Sequence, residues 1–404
     1  MKHVYMSKYF YPLVENPFSD NDISKGIEVL KSKQLTISKK TVNFEKHFTS
    51  SLNSKYSLMV NSGSSANLLA LQCLINPYRK KRLKKNDEVI IPTLCWSTSL
   101  WPIVQSNLKP IFIDINPSTL NIDVDQIEKK ITKKTKAILL VHVLGNSCDM
   151  DRIMKIKNKY NLLLIEDTCE SLGSKYKNKY LGTFGEFSSF SFYSSHQISS
   201  GEGGMICCKN KNDYNIIKSL RSHGWSRGTT FENSIYKKNK NLDKRFTFFN
   251  SGYNLRPTEV SAAIGHNQFK RMDDLIKMRN FNRNLIIKAI CKHEKLKDKI
   301  SFYESSKNVT PSWFGLPIKI STEAKQNKKT IIKKLEQNGI ETRPIISGNF
   351  AEQPGALKYK LVKNQKFRNT DTVYKNSFFI GLPTKKINNI LLKKIISSFE
   401  KSFK

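Results

Sequence analysis

Three stretches of this chain carry residue types that could do chemistry together. Asn61-Ser62-Gly63-Ser64-Ser65-Ala66-Asn67 follows a short apolar run and opens an apolar helix, Leu68-Leu69-Ala70-Leu71. Free N–H groups at a helix start, serine hydroxyls and a glycine that admits close backbone approach suit a phosphate, although an ordinary capped helix start looks the same. Ile165-Glu166-Asp167-Thr168-Cys169-Glu170 reads as a buried strand that ends in carboxylates. A carboxylate emerging into a ligand crevice needs a compensating cation, because an unpaired buried charge is costly; a protonated ring nitrogen, a metal or an arginine would serve. The third stretch, residues 189–205, begins as a strand, turns through a hydroxyl-rich loop holding His196 and closes with Gly201-Glu202-Gly203-Gly204. That ending permits a tight return into the next strand, and an imidazole in the loop can move protons near neutral pH.

The elements that must position these groups alternate. Short β-branched runs separated by longer polar-amphipathic stretches predict strands over Ser57 to Val60, Glu88 to Ile91, Pro110 to Ile115, Thr135 to Val143, Leu162 to Glu166, Phe187 to Ser191 and Gly204 to Cys208. This is the rhythm of an α/β sheet with crossover helices, which binds ligands beyond the carboxyl ends of its strands. A basic amphipathic helical pattern runs from about Gly265 to Lys292, and a second unit is expected to begin near Met278. That unit contains strand-like Thr310 to Ile320, a helix from about Thr322 to Asn338, the segment Ile340 to Ile346 and a terminal helix from about Lys386 to Phe403. The division expected is 1–277 and 278–404, packed tightly because no long Gly/Ser linker intervenes.

Composition narrows the class. With 404 residues and 38% hydrophobic content the chain can bury a globular core. Its longest apolar stretch, Ala137 to Gly145, is interrupted by His142 and falls well short of the ~20 residues needed to cross a bilayer. The first residues lack the apolar core of a secretory signal, so a cytoplasmic location and no membrane partner are expected. Seven cysteines without a C-x-x-C repeat suit a reducing compartment and no disulfide framework. The net charge of +36 comes from lysines spread along the whole chain, so a solvated surface is expected and no nucleic-acid partner.

Taken in order, the phosphate-type cradle, the acidic strand end and the loop after Ser191 resemble the sugar aminotransferase family of pyridoxal-phosphate enzymes. Gly252-Tyr253-Asn254-Leu255-Arg256-Pro257-Thr258-Glu259 is similar to the helix-entry signature of that family. The resemblance covers nearly the whole chain. It implies an α/β aspartate-aminotransferase-like fold (type I), with a mainly parallel mixed sheet, helices on both faces and a smaller C-terminal α+β domain. It implies that Ser64, Ser65 and Ser191 hold the cofactor phosphate, that Asp167 pairs with the pyridine nitrogen and that Trp96 stacks on the ring. Without the resemblance, Trp96 reads equally well as a core aromatic. Glu170 matches a position near the cofactor's 3-hydroxyl side, and Asn254 matches a residue reaching the neighbouring subunit's cofactor phosphate, which implies a homodimer with shared sites. Arg221, His223, Arg256 and Arg343 fall where the family lines its sugar-nucleotide pocket. For Arg343 an ordinary surface arginine in a turn is the competing reading.

One departure decides the reaction that the resemblance implies. The lysine expected five positions after Ser191 is His196, which has no primary amine and cannot bind the cofactor covalently. The chain is therefore similar to the lysine-less 3-dehydratases of the family, which hold pyridoxamine phosphate non-covalently and use the histidine as acid and base. The implied activity is loss of the C3 hydroxyl from a nucleotide-linked 4-keto-6-deoxy sugar for dideoxysugar biosynthesis of the lipopolysaccharide type. Glutamate would restore the cofactor, and GDP, CDP and dTDP remain open as the nucleotide. An iron-sulfur cluster is not expected: Cys169 matches one ligand of the cluster-bearing type, but Arg227 to Lys238 holds no cysteine, and a cluster needs several soft ligands. Adjacent Cys207 and Cys208 should face opposite ways on a strand. No other metal is expected. The alternatives are a sugar aminotransferase and a cofactor-binding pseudo-enzyme, and retention of Asp167, Trp96 and Ser191 argues against the latter.

Overall fold

The structure, a computed structural model, describes residues 8–305, 308–362 and 365–404. Its centre is a seven-stranded sheet with the spatial order Tyr56–Val60, Gly204–Cys208, Phe187–Ser191, Leu163–Asp167, Thr135–Val141, Glu88–Pro92, Lys109–Ile113. All seven correspond to runs expected from the sequence. Gly204–Cys208 is antiparallel to both of its neighbours, and the remaining pairs are parallel.

Most of these strands are buried along their length because helices cover both faces, as parallel sheets require. Alternation assigns their side chains. Val89 and Ile91 point into one core with Leu69, Ala70 and Ile103, whereas Ile90 points into the opposite one with Ile127 and Ile153. Cys208 and Cys207 divide in the same way, Cys207 packing with Phe44 and Phe48. Full burial of each such aliphatic side chain contributes about 1.5–3 kcal/mol.

A second, antiparallel sheet has the order Ile300–Phe302, Gly315–Ile320, Ser377–Gly381, Thr342–Pro344. Helices Lys328–Gln337 and Asn389–Ser402 pack together beside it. The single helix expected around 265–292 is two, Glu259–Phe269 and Met272–Cys291, separated at Lys270-Arg271. Residue 278 thus lies inside the second of these helices, Met272–Cys291. Buried residues of both sheets, Leu58 and Phe378 among them, belong to one core cluster. Among the described residues no helix is long and apolar enough to cross a membrane.

The parallel arrangement gathers the carboxyl ends of Tyr56–Val60, Glu88–Pro92, Leu163–Asp167 and Phe187–Ser191 at one edge. The loops at Ser62, Trp96, Thr168 and His196 all leave from there.

Candidate active site

Two adjacent carboxylates close the strand Leu163–Asp167, and the period of two sends them to opposite faces. Glu166 accepts from the amides of Gly182, Phe184 and Gly185 at 2.7–2.8 Å and lies 3.4 Å from His142 Nε2, so it braces the fold. Asp167 faces the strand-end loops. Its Oδ2 accepts from Asn67 Nδ2 (2.8 Å) and Ser99 Oγ (2.7 Å), and its Oδ1 from the Cys169 amide (3.1 Å) and Ser189 Oγ (3.3 Å). None of these four donors is a cation. A buried carboxylate held by neutral donors alone is still short of an opposite charge, and a protonated ring nitrogen would supply it.

The surroundings fit a flat, phosphorylated, cationic ring. Trp96, at the start of helix Ser97–Gln105, is 57% exposed, which overturns the core reading and leaves an indole face to stack against. Helix Gly63–Leu74 opens beside the end of Phe187–Ser191: a Cβ on Gly63 would lie 2.7 Å from both Ser191 Cβ and Cys169 Sγ. Ser191 Oγ accepts from the Tyr193 amide at 3.3 Å, which leaves its proton free for an anion. Ser64 Oγ lies 2.7 Å from Thr98 Oγ1. Ser65 differs from expectation: its hydroxyl proton is committed to Asn61 Oδ1 (2.6 Å) and its amide is capped by Ser62 Oγ, so it shapes the loop.

Gly204 shows how tightly this loop is seated, since a Cβ there would lie 2.5 Å from the Ser62 carbonyl carbon and 2.6 Å from the Gly63 nitrogen. Gly204→Ala is therefore predicted to cost about 1–3 kcal/mol of stability and to weaken binding of a phosphate at Ser64 and Ser191. Thermal unfolding together with a cofactor titration tests this; wild-type values for both would contradict the seating.

His196 occupies the loop after Ser191, its amide bonded to the Tyr193 carbonyl (3.0 Å) and its ring 5.5 Å from Phe314. Its Nδ1 is buried without a partner. Burial lowers its pKa to about 4, against the opposing charge of Asp167, so the imidazole is neutral at pH 7 and able to accept a proton. Glu170, just beyond the end of strand Leu163–Asp167, accepts from the Leu144 amide at 2.8 Å, and burial raises its pKa to about 8.

The Glu170 shift fixes a sign. A carboxyl whose folded pKa lies above its unfolded value binds more protons when folded, so stability is full below about pH 4.5 and falls as pH rises towards 8. Glu170→Gln is predicted to remove that fall, gaining on the order of 1–2 kcal/mol over wild type at pH 8.5 and nothing at pH 4. Unfolding midpoints at the two pH values measure it, and an equal gain at both would contradict the assignment.

The expected substrate-side residues separate. Arg221 is corrected: it is buried, with Nη1 bonded to Glu45 Oε1 (2.8 Å) and the Met59 carbonyl (2.7 Å), so its cation belongs to the fold. His223 sits in the left-handed region (φ 59°) with its ring edge-on to Trp225. Asn254 is exposed and bonds Arg256 Nε at 2.9 Å, while neighbouring Leu255 accepts from the Asn61 amide at 3.1 Å, next to the phosphate-type loop. Arg343 is half exposed and paired with Glu341 at 2.8 Å. Its segment crosses the strand ends, with Ser347 Oγ bonded to the Cys95 carbonyl beside Trp96 and the Phe350 amide donating to Thr93. Among the described residues no group of three or more His, Cys, Asp or Glu side chains could hold a metal.

Asn67, Ser99 and Ser189 are the site residues that sequence reasoning missed. Two of them share a face with a residue it did find: Asn67 follows Ser64 by one helical turn, and Ser189 precedes Ser191 by one strand repeat.

Residues 18–398 match the profile of the DegT/DnrJ/EryC1/StrS aminotransferase family. The chain belongs to this family. It is 36% identical over 374 residues to GDP-4-keto-6-deoxy-D-mannose 3-dehydratase of Escherichia coli O55:H7, covering 92% of this chain and 95% of that one. An Escherichia coli GDP-4-keto-6-deoxy-D-mannose 3-dehydratase with bound hydrated PLP superimposes with a TM-score of 0.89 at 34% identity, covering 98% of this chain and all of the other. A structure of GDP-4-keto-6-deoxymannose 3-dehydratase with a trapped PLP-glutamate geminal diamine does so at 0.88, with 34% identity and the same coverage. The α/β fold expected from the sequence is thus that of the family.

Proposed function

We propose that this protein is a pyridoxamine-phosphate-dependent 3-dehydratase of a GDP-linked 4-keto-6-deoxyhexose, with His196 as its acid and base. The observation that carries the reading is a neutral imidazole, with an unpartnered Nδ1, in the loop where ordinary members of the family carry lysine. When bound, the cofactor supplies a primary amine for the 4-keto carbon and an electron-withdrawing ring beside the carbon that must lose a proton.

The chain's own groups do the rest. Asp167, fixed from two sides by Asn67 and Ser99, keeps a ring nitrogen protonated and so keeps the ring electron-poor. Trp96 holds the ring by its face, and Ser64, Ser191 and the first amides of helix Gly63–Leu74 hold the phosphate. His196 takes the proton from the carbon bearing the amine, because burial denies its imidazole a proton beforehand. The resulting imidazolium then returns a proton to the C3 hydroxyl as it departs as water. Glu170, protonated at neutral pH, can donate on the cofactor's 3-hydroxyl side. His223, Arg256 and Arg343 supply donors to the nucleotide diphosphate, and Asn254, exposed on its loop, reaches the phosphate of a second copy's site in a homodimer. Glutamate as amino donor fits the related enzyme trapped with it. The product belongs to dideoxysugar biosynthesis of the lipopolysaccharide type.

Purified protein incubated with pyridoxamine phosphate, glutamate and 4-keto-6-deoxy sugars linked to GDP, CDP or dTDP should release ammonia and a sugar lacking the C3 oxygen, fastest with GDP. A product that has gained an amino group and kept that oxygen would make the chain an aminotransferase instead.

A further inference from the structure

Helix Met272–Cys291 buries three polar side chains, Arg279, Asn282 and Arg283, on one face, as spacings of three and four residues require. Asn282 bonds the carbonyls of Pro383 and Lys385 and accepts from the Ile387 amide. Arg283 bonds the Tyr303 carbonyl, lies over Trp313 and reaches Glu304 at 3.6 Å. Arg279 is different, for among the described residues its hydrogen-bond partners are carbonyls alone: Gln197 (2.8 Å), His196 (3.0 Å) and Leu382 (3.3 Å). A buried guanidinium facing only backbone dipoles is expensive to desolvate, and burial alone lowers its pKa to about 10. Stability alone gives no reason to keep a cation there.

We infer that Arg279 is a positioning residue for the base: its planar fork holds the two carbonyls of the His196-Gln197 turn and ties them to Leu382, at the exit of the small sheet's strand Ser377–Gly381. The inference rests on the reading of His196 as the base and adds what places it. An imidazole that is not covalently joined to the cofactor depends on its own loop for its position, and that loop is gripped at two points. Gln197 gives the second grip, donating to the Glu170 and Ser312 carbonyls. The polar and charged groups facing the His196 ring are Asp167, the Cys169 and Ser191 backbones, Tyr193 and Arg279. Asp167 favours the imidazolium, and Arg279 is the cation that opposes it.

Three variants of the holoenzyme separate this role from a merely structural one. Arg279→Met should lower kcat by about 10- to 100-fold with little change in the KM for sugar, since small displacements of a catalytic group cost rate rather than binding. It should also move the acidic limb of the kcat profile to higher pH, because a repelling charge is gone. Arg279→Lys keeps the charge without the fork, so its limb should stay near wild type while kcat still falls. Arg283→Met, equally buried on the same helix, should lose comparable thermal stability and leave the limb in place. An unmoved limb in Arg279→Met with a kcat loss no greater than that of Arg283→Met would overturn the proposal, as would wild-type kcat in Arg279→Lys should the Met variant not fold. His196→Asn assayed alongside tells the two failures apart: if it is inactive, only the role of Arg279 falls; if it is active, the base itself is misassigned.

Discussion

His196→Asn is expected to lower the rate of C3 deoxygenation roughly a thousandfold while leaving cofactor affinity within experimental error of wild type. The amide approximates the imidazole in size and cannot accept a proton, so the variant separates chemistry from binding. Binding should persist because the Asp167, Ser64 and Ser191 side chains, proposed to hold the cofactor, take their hydrogen bonds from groups other than the His196 side chain. His196→Lys restores a primary amine at this position and should attach pyridoxal phosphate covalently, in a borohydride-stable form confined to residues 191–204, with deoxygenation lost. Single-turnover assays, cofactor titration and peptide mapping read these outcomes. Dehydration at the wild-type rate in His196→Asn would place the base elsewhere.

Asp167→Asn should be the second severe change, for a different reason. Asn67, Ser99, Ser189 and the Cys169 amide converge on two carboxylate oxygens. An asparagine there presents an amide N–H to at least one donor and no charge to a ring nitrogen. Charge-assisted hydrogen bonds contribute about 1.5–3 kcal/mol, so cofactor affinity should fall roughly 10- to 100-fold. The turnover of cofactor-saturated enzyme should fall further, since a ring nitrogen without a facing anion loses its proton and the ring its electron demand. Asn67→Ala and Ser99→Ala, which each remove one donor to the Asp167 carboxylate, should give smaller losses of the same kind. Full activity of Asp167→Asn at saturating cofactor would show that the carboxylate has no part in the chemistry.

The central sheet was legible because most of its strands, such as Glu88–Pro92, Thr135–Val141 and Gly204–Cys208, are largely apolar runs bounded by turns, the pattern that burial on both faces imposes. Ser377–Gly381, the strand that holds the small sheet together, carried the same kind of signal in Ser-Phe-Phe-Ile-Gly, but so short a run can equally sit in a buried helix. The break at Lys270-Arg271 was invisible because neither glycine nor proline marks it. Within the site, residues with unusual chemistry for their place announced themselves: His196, Asp167 and the glycine-flanked serines. Asn67, Ser99 and Ser189 did not, being common polar residues whose value arises only when three separate elements meet at one carboxylate. Arginines were the least legible. Arg221 and Arg279 look alike in sequence to solvent-facing cations, and only packing reveals that one pairs with Glu45 inside the fold and the other bonds the His196 and Gln197 carbonyls.

The most direct test uses pyridoxamine phosphate carrying deuterium on its aminomethyl carbon. With the GDP-linked keto sugar, the wild-type protein should lose one deuterium per turnover, stereospecifically, and His196→Asn should retain the label while still binding cofactor. Continued loss of deuterium from the variant at a comparable rate would contradict the assignment of that proton to His196.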